Sequence, residues 1–244
     1  MPAPPEPVRP TENKILAALD DSQAQRLFAQ LERVSLMQGE VIYEADARIE
    51  HVYFPETAVF SMLSTMENGD TVEVGPVGRE GLLGLRVFLG AEKTLYRAIV
   101  HVAGSALRLS ASALKAELCD GRTAMTEKLI RYTQMLLAMT GRSCACNKLH
   151  SLEQQLARWL LTMSDYVGDE ISLTHELMAL TLGVRRAGVS EAANNFRTQG
   201  IIAYHRGRIQ LLDREGLEAI ACECYRMIKN EYDSLYADLA KSAG

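Results

Sequence analysis

Hydrophobic residues change their spacing along the chain, and these changes predict its elements. Between residues 13 and 31, apolar residues recur every three or four positions, which predicts a short amphipathic helix interrupted near Asp20-Asp21-Ser22. From Val34 the spacing becomes two, in pairs such as Val52 and Phe54 that are separated by turn residues such as Asn68-Gly69-Asp70. Many short strands with this spacing predict a small β barrel or jelly roll.

A long helix is predicted after Ser112, where the strand pattern ends. Its apolar and small residues step alternately by four and three, an average of about 3.5, which is the period of a coiled coil. We therefore predict that this helix pairs with its own copy; the alternative is a helix packed on its own barrel. The predicted dimer seam consists of Met125, Leu129, Tyr132, Leu136, Met139, Ser143 and Cys146.

The C-terminal part combines helices with short strands. The pattern predicts a helix over 149–167, a strand or loop over 171–173, helices over 174–180 and 185–199, strands over 201–205 and 209–212, and one final helix over about 214–239. Two helices joined by a short turn at Gly183 and followed by a hairpin are typical of a winged helix-turn-helix, which binds DNA.

Charge is distributed unevenly along the chain. The net charge is −5, which by itself argues against a nucleic-acid partner. Between residues 185 and 208, however, five arginines face the single acid Glu191, a local balance of +4. A short cationic stretch on an acidic protein is typical of a DNA-reading surface.

The second helix of this motif would enter the major groove with its N-terminal end. Arg186 is the first choice for base reading, because an arginine donates two hydrogen bonds to a guanine edge. Thr174 and His175 open the first helix, where backbone amides favour phosphates, and the hairpin would contact the adjacent backbone. The candidate DNA-binding residues are Thr174, His175, Arg185, Arg186, Ser190, Glu191, Asn194, Arg197, Arg206 and Arg208.

Nearly the whole chain resembles the Crp/Fnr family of winged-helix regulators. The matching stretches are GEVIYEADARIEHVYFPETAVFSML, VEVGPVGREGLLG, LEQQLARWLL and LTHELMALTLGVRRAGVSEAANNFRTQGIIAYHRGRIQLLD. The resemblance implies an α+β fold with an N-terminal cyclic-nucleotide-binding-like β jelly roll, a long dimerisation helix and a C-terminal winged helix-turn-helix. The implied ranges are a flexible tail (1–12), an effector-type jelly roll (13–121), a dimerisation helix (122–146) and a DNA-binding domain with a C-terminal helix (147–244).

The same resemblance implies partners. We expect a homodimer that binds a palindromic operator in double-stranded DNA, with recognition helices about 34 Å apart, and that acts with RNA polymerase. Binding would be modulated through the barrel and through a hinge near 147–150. Ala187 stands where the family commonly has a glutamate, and Glu191 where a second base-reading arginine is found. The operator is therefore expected to differ from the familiar family site.

The effector is left unassigned. Cyclic-nucleotide binders of the family hold the ribose and phosphate with a Gly-Glu pair followed by Arg-Ser, whereas this chain has Gly78-Arg79-Glu80-Gly81 without a clear Arg-Ser. Alternatively, the Glu80 carboxylate stabilises its own turn by accepting hydrogen bonds from backbone amides. The candidate effector pocket consists of Arg79, Glu80, Thr94, Arg97 and Thr140.

Cysteines raise the question of a metal. The N-terminal cysteine cluster of the family's iron–sulfur members is absent, because the first cysteine is Cys119. Four thiols in the pairs Cys144/Cys146 and Cys222/Cys224 could hold zinc or an iron–sulfur centre, with His150 near the first pair, and Cys146 could cross-link subunits. We favour buried, metal-free cysteines, because Cys-x-Cys on a helix points its side chains roughly 200° apart. Haem is not expected either, since His51 and His101 fit ordinary strand positions.

Other classes of protein are less favoured. The chain has no glycine-rich phosphate loop, nucleophile elbow or zinc-hydrolase motif, so we do not expect an enzyme. It has no run of about 20 apolar residues and no apolar signal core, so we expect a cytoplasmic protein without membrane contact. The predicted function is a sequence-specific transcription regulator. The alternative is a cyclic-nucleotide or redox/metal sensor acting through a protein partner, which would have no use for the cationic helix.

Overall fold

The structure is a computed structural model that describes residues 11–119, 123–205 and 207–241. Its contacts divide it into two compact units that interleave along the sequence. The first contains the described residues of 1–63, 75–136 and 232–244, and the second contains those of 64–74 and 137–231. Of the predicted tail, only residues 11 and 12 are described, and the predicted boundary at 121–122 falls outside the described residues.

The elements follow the order expected from the sequence. The helices are α1 (Lys14–Ala17), α2 (Asp21–Phe28), α3 (Ala111–Cys119), α4 (Ala124–Leu149), α5 (Leu152–Val167), α6 (His175–Leu182), α7 (Arg186–Thr198), α8 (Arg214–Ile220) and α9 (Cys224–Lys241). The strands are β1 (Glu32–Leu36), β2 (Val41–Tyr43), β3 (His51–Pro55), β4 (Val59–Thr65), β5 (Thr71–Val77), β6 (Arg97–Val102), β7 (Gly104–Ser110), β8 (Glu170–Ser172), β9 (Ile202–His205) and β10 (Arg208–Leu211). A short 3₁₀ helix spans Leu85–Val87.

Strands β1 to β7 form two sheets, one in the order β1-β7-β3 and the other in the order β2-β6-β4-β5. Val52 and Phe54 of β3 are buried, as their alternation predicts, together with Leu107 and Leu109 of the paired strand β7. Full burial of such side chains stabilises a fold by about 1.5–3 kcal/mol each. Strands β8, β10 and β9 form a third sheet beside α5 to α8. The predicted α+β class, with a jelly roll, a long helix and a winged helix-turn-helix, is confirmed.

The long helix α4 orients its apolar residues differently from the prediction. Five members of the predicted seam are buried in the single chain, namely Met125, Leu129, Tyr132, Met139 and Cys146, and Leu136 and Ser143 are half-buried. The predicted seam is therefore largely buried within the chain. Its members up to Leu136 belong to the unit that contains the barrel, as in the alternative interpretation, whereas Met139, Ser143 and Cys146 belong to the other unit. Three heptads drift by too little to separate a period of 3.5 from one of 3.6.

The predicted final helix is interrupted. Instead of one helix over about 214–239, α8 ends at Ile220 and α9 begins at Cys224, with Ala221 in an extended conformation between them. The segment 217–239 contains no glycine or proline, so helix propensity gives no sign of a break. Cys222, in the break, is buried. The burial of this residue is a tertiary contact that a periodicity pattern does not contain.

None of the helices in the described ranges is long and apolar enough to cross a membrane.

A buried histidine links folding to pH. His101 of β6 is 1% exposed, and its Nδ1 lies 3.0 Å from the Ser61 hydroxyl. Burial lowers the pKa of His101 from 6.5 to about 4. The folded chain therefore keeps this imidazole neutral at pH values where the unfolded chain protonates it.

We expect the free energy of unfolding to fall by about 2 kcal/mol between pH 7.5 and pH 5 because of His101 alone. The loss begins near the unfolded pKa of 6.5 and ends near the folded pKa of about 4, since only the unfolded state takes up the proton in this range. The change should be absent in His101→Asn, measured by urea unfolding at both pH values. Equal pH dependence of the wild type and the variant would contradict this expectation.

Candidate nucleic-acid interface

Two helices and a glycine turn form the centre of the candidate interface. Thr174 caps the N-terminus of α6, where its Oγ1 accepts a hydrogen bond from the Leu177 amide at 3.2 Å. Gly183 ends α6 in the left-handed conformation with φ +63°, which glycine adopts without steric cost. Helix α7 begins three residues later. The helix ends differ from the predicted ones by one or two residues.

The apolar face of α7 determines which of its residues point outward. Val189, Ala192, Ala193 and Phe196 are buried, as predicted. The opposite face leaves five predicted DNA-binding residues exposed: Arg185, Arg186, Glu191, Asn194 and Arg197. Arg197 is held on this face by a hydrogen bond that it donates to Asn194 Oδ1 at 2.8 Å.

Two arginines of the interface form ion pairs with glutamates that lie outside residues 185–208, the range over which the charge balance of +4 was counted. Arg186 lies 2.8 Å from Glu176 of α6, and Arg208 lies 2.7 Å from Glu170 of β8. A hydrogen bond from its own backbone amide lowers the pKa of Glu176, and the charge of Arg186 adds to this effect. Because both glutamates precede residue 185, the local balance of +4 overstates the positive charge of the folded surface.

His175 and Ser190 are placed differently from the exposed candidates. His175 Nδ1 lies 2.9 Å from Ser190 Oγ, and the His175 ring packs on Tyr204 of β9 at 4.6 Å between ring centroids. Both candidates are half-buried. This arrangement ties the start of α6 to α7 and to the wing, which suits positioning of the interface more than contact with a base.

The wing is the hairpin of β9 and β10. β10 pairs with β9 and β8, and the Gly207 carbonyl at the hairpin tip accepts a hydrogen bond from the Leu173 amide at 2.7 Å. Arg208 is exposed at the start of β10. The predicted contact Arg206 lies outside the described residues.

The hairpin between β4 and β5 belongs to the same unit as the helix-turn-helix. A Cβ placed on Gly183 would lie 3.0 Å from Val72 Cγ2, so this hairpin contacts the turn between α6 and α7. Next to it, Trp159 Nε1 donates to Glu73 Oε1 at 3.3 Å. Neither contact could be predicted from the sequence, because both join distant segments, 86 positions apart for Trp159 and Glu73, and the alternating strand pattern gives no local signal of them.

Comparisons with known proteins identify both halves of this arrangement. The protein-family model of the cyclic nucleotide-binding domain matches residues 33–119, and that of the Crp-like helix-turn-helix domain matches residues 154–220. The chain belongs to the Crp/Fnr family of transcription regulators. It is therefore a DNA-binding regulator with a sensing domain, and not an enzyme.

Solved structures of other Crp/Fnr-type regulators share the fold. FixK2 from Bradyrhizobium japonicum has a TM-score of 0.68 and 20% identity, with 79% of this chain and 98% of that chain covered. A CRP-family transcriptional regulator from Thermus thermophilus has a TM-score of 0.66 and 20% identity, with coverage of 78% and 96%. The c-di-GMP responsive regulator CLP of Xanthomonas campestris has a TM-score of 0.63 and 12% identity, with coverage of 79% and 99%. No curated protein matches the chain.

In the sensing domain of this Crp/Fnr protein, the turn that carries Glu80 makes its contacts with other residues of the same chain. Glu80 is fully buried and its Oε1 accepts from the Gly78 amide at 3.0 Å, which is the alternative role considered above. Tyr132 of α4 packs against this turn, and a Cβ on Gly81 would clash with its hydroxyl. Burial raises the pKa of Tyr132, and the Glu80 charge raises it further. Glycine at 81 is therefore required by Tyr132, which the sequence analysis had assigned to the dimer seam.

The other candidate effector residues are dispersed. Arg79 is half-buried and lies near Tyr236 of α9, whose pKa is raised to about 12 by burial and the Glu80 charge and is lowered in part by Arg79. Thr94 is buried, and its hydroxyl donates to the Tyr96 carbonyl at 2.9 Å. Arg97 pairs with Glu44 at 3.3 Å. Thr140 is exposed and belongs to the other unit.

Three cysteines and a histidine converge in the DNA-binding unit of this Crp/Fnr regulator. Cys146 Sγ lies 3.5 Å from Cys222 Sγ, and Cys224 Sγ lies 3.7 Å from His150 Nδ1. The fourth candidate, Cys144, is exposed and does not join them. The splaying expected for Cys-x-Cys on a helix does separate Cys144 from Cys146. It does not apply to Cys222, which lies before α9 and outside any helix.

We expect Gly183→Ala to lower the free energy of unfolding by about 1–2 kcal/mol, because a side chain in the left-handed region is strained. The added methyl would also press on Val72 at 3.0 Å. Chemical denaturation followed by Trp159 fluorescence measures the change. Gly75→Ala is the matched control, since its Cβ meets nothing within 4 Å and its φ is not in the left-handed region. Equal stability of the two variants would contradict the assigned role of the turn.

Proposed function

We propose that the chain acts as a homodimer on a palindromic operator, with α7 of each protomer in successive major grooves on one face of the DNA. The observation that carries this proposal is the set of exposed arginines on α7. They are exposed because the helix buries its apolar face. A two-fold dimer places its two half-sites about 34 Å apart, one turn of DNA. The protein would act in the cytoplasm by changing how RNA polymerase engages a promoter.

Different residues have different roles in this complex. Arg185 and Arg186 stand at the start of α7, the end that enters the groove, and we assign base reading to Arg186. Arg208 in the wing neutralises phosphate and carries no sequence information. The remaining proposed contacts are Thr174, Glu191, Asn194 and Arg197.

In this proposal, Arg186 and Arg208 each leave a glutamate partner when they bind DNA. The pairs Arg186–Glu176 and Arg208–Glu170 are solvent-exposed, with every partner more than half exposed. Exposed ion pairs contribute about 0–1 kcal/mol, so they open at little cost. In the free protein, the glutamates reduce the attraction of the surface for DNA of any sequence.

The dimer interface is assigned to the exposed side of α4. Ile130 is 41% exposed and Leu137 is 70% exposed. With Gln134, Gly141 and Cys144 they form a stripe, the α4 stripe, whose members step by four, three, four and three residues. This is the heptad spacing of a coiled coil, and Gly141 presents no side chain to hold a partner helix away. The proposed seam thus keeps the predicted period but lies on another face.

Modulation by the sensing domain has a physical route. The strands β4 and β5 belong to the sheet β2-β6-β4-β5, and the tip of their hairpin contacts the α6–α7 turn through Val72. We infer that a change in these strands reaches the α6–α7 turn along the hairpin, whose residues 64–74 belong to the same unit as α7. This route adds to the hinge that the sequence analysis placed near 147–150.

We expect Arg186→Ala and Arg208→Ala to weaken DNA binding in different ways. The operator is first selected from a random DNA library, and single-base variants of it are then titrated by fluorescence anisotropy. Loss of Arg186 should abolish discrimination at one base position per half-site, a factor of about 5 to 150. Loss of Arg208 should weaken all sequences alike and reduce the salt slope by about 0.9 per phosphate contact.

Glu176→Gln is the matched charge variant for this experiment. It releases Arg186 from its partner and should strengthen binding to every sequence by about two- to five-fold. If both arginine variants changed all operator sequences equally, the assigned roles would be rejected. Absence of binding by the wild type to any DNA at low salt would reject the proposed function as a whole.

We expect Leu137→Glu to convert a dimer into a monomer, because it places a charge in the centre of the α4 stripe. Sedimentation equilibrium measures the change, and Leu95→Glu, at another exposed leucine outside α4, is the control. Mild oxidation should cross-link two protomers through Cys144, and Cys144→Ser should prevent this while Cys119→Ser does not. A Leu137→Glu chain that remained dimeric would place the interface elsewhere.

A further inference from the structure

Three cysteines and one histidine meet at the point where two segments of the DNA-binding unit come together, namely residues 146–150 and 222–224. Cys146 lies in the last turn of α4, and His150 follows the end of that helix. Cys222 lies in the break between α8 and α9, and Cys224 begins α9. All three thiols are buried and His150 is half-buried. We call these residues the Cys₃His cluster.

Two distances in the cluster match those between neighbouring ligands of a single tetrahedral ion. Each residue offers one ligand atom, and these atoms all lie within 4.8 Å of one another. Zinc binds cysteine sulfur at about 2.3 Å and histidine nitrogen at about 2.0–2.1 Å, so neighbouring ligands of a tetrahedron lie about 3.5–3.8 Å apart. The two measured separations, 3.5 Å between Cys146 and Cys222 and 3.7 Å between Cys224 and His150, fall in this range.

Glu223 contacts His150 on the side away from the thiols. His150 presents Nδ1 to the thiols, and its Nε2 lies 3.3 Å from a carboxylate oxygen of Glu223. A carboxylate on the far nitrogen of a ligating histidine fixes the ring and its tautomer in many zinc sites. The arrangement therefore has an outer partner for His150 as well as four inner ligands.

Arg158 of α5 is close to the same cluster. The positive charge of Arg158 interacts electrostatically with Cys146. Arg158 is 8% exposed, and its Nε finds no hydrogen-bond acceptor among the described residues. Three thiolates around a divalent cation carry a net charge of −1, and a buried guanidinium beside them compensates that charge.

Packing alone does not account for the cluster. Small buried hydrophobes would not require a histidine nitrogen directed at a thiol, and a disulfide between Cys146 and Cys222 would leave Cys224 and His150 without a common purpose. The chain also interrupts its final helix at Cys222 without a glycine or proline at the break. Both features are explained if the four ligand atoms share one ion.

We propose that the Cys₃His cluster binds one zinc ion per chain, with Cys146, His150, Cys222 and Cys224 as its ligands. Sulfur and imidazole nitrogen exclude magnesium and calcium, which prefer oxygen. Four protein ligands leave no open position, so the ion stabilises structure and performs no catalysis. It joins the end of α4 to the α8–α9 junction, and it does not depend on the proposed dimer or operator.

The first test is the metal content of the full-length chain, purified with a reducing agent and without chelator. We expect about one zinc per chain by plasma mass spectrometry. Cys146→Ser, Cys222→Ser and Cys224→Ser should each lose most of it. Cys144→Ser and Cys119→Ser are matched controls that should retain it, because both residues are exposed. Loss of zinc in Cys144→Ser equal to that in Cys146→Ser would overturn the assigned ligands.

His150 allows a rescue experiment that a packing role would not reproduce. His150→Ala should lose the metal, whereas His150→Cys should retain it, since a fourth thiolate also suits tetrahedral zinc. Retention in His150→Ala would remove His150 from the ligand set and overturn the Cys₃His assignment.

Cobalt titration of the wild type tests the site without any substitution. Apo chain titrated with Co²⁺ should develop the visible bands of tetrahedral cobalt and thiolate-to-cobalt charge transfer, saturating at about one equivalent, and Zn²⁺ should bleach them. Removing zinc with a chelator should lower the Tm by about 5 °C or more, since the ion binds only the folded site. Absence of zinc together with absence of these bands would overturn the proposal, as would iron with acid-labile sulfide or a Cys146–Cys222 disulfide under reducing purification. None of these outcomes would affect binding to DNA as proposed above, so the two proposals fail separately.

Discussion

Burial of one face of α7 is the constraint on which the rest of the interface depends. Val189 and Phe196 are fully buried, so the helix cannot rotate without exposing apolar surface. The rotation that buries them places Arg186 and Arg197 in solvent. A hydrophobic contact thus sets the direction of a charged surface. The charges attract DNA, but they do not determine which side of α7 faces solvent within the protein.

The same principle gives the long helix two functional sides. α4 buries Leu129 and Tyr132 in the core of its own chain, and Tyr132 in turn supports the Glu80 turn of the sensing domain. What remains on the outside is a narrower stripe with Ile130 and Leu137. In the proposed dimer, Tyr132 contacts the sensing turn and Ile130 contacts the partner helix from positions two residues apart on the same helix.

Much of the fold could be predicted because the signals were local. The alternation around Val52 and Phe54 indicates strands, and the glycine turn with its following apolar spacing indicates the helix-turn-helix. The pairing of Arg186 with Glu176 could not be predicted, since it depends on two helices meeting at a particular angle. The break at Cys222 could not be predicted either, because the residues that meet it, Cys146 and His150, come from a distant segment and nothing in the local sequence opposes a helix.

The interleaving of the two units limits how the protein can be divided. A fragment that begins at α5 would carry Trp159 and Gly183 but would lack the hairpin that supplies Glu73 and Val72. The indole nitrogen would lose its acceptor, and the turn between the two DNA-binding helices would lose the side chain that packs against it. The isolated C-terminal half therefore lacks contacts that the DNA-binding unit has in the full chain, although its sequence boundaries do not show this. Grafting the 64–74 segment onto it would restore what a simple cut removes.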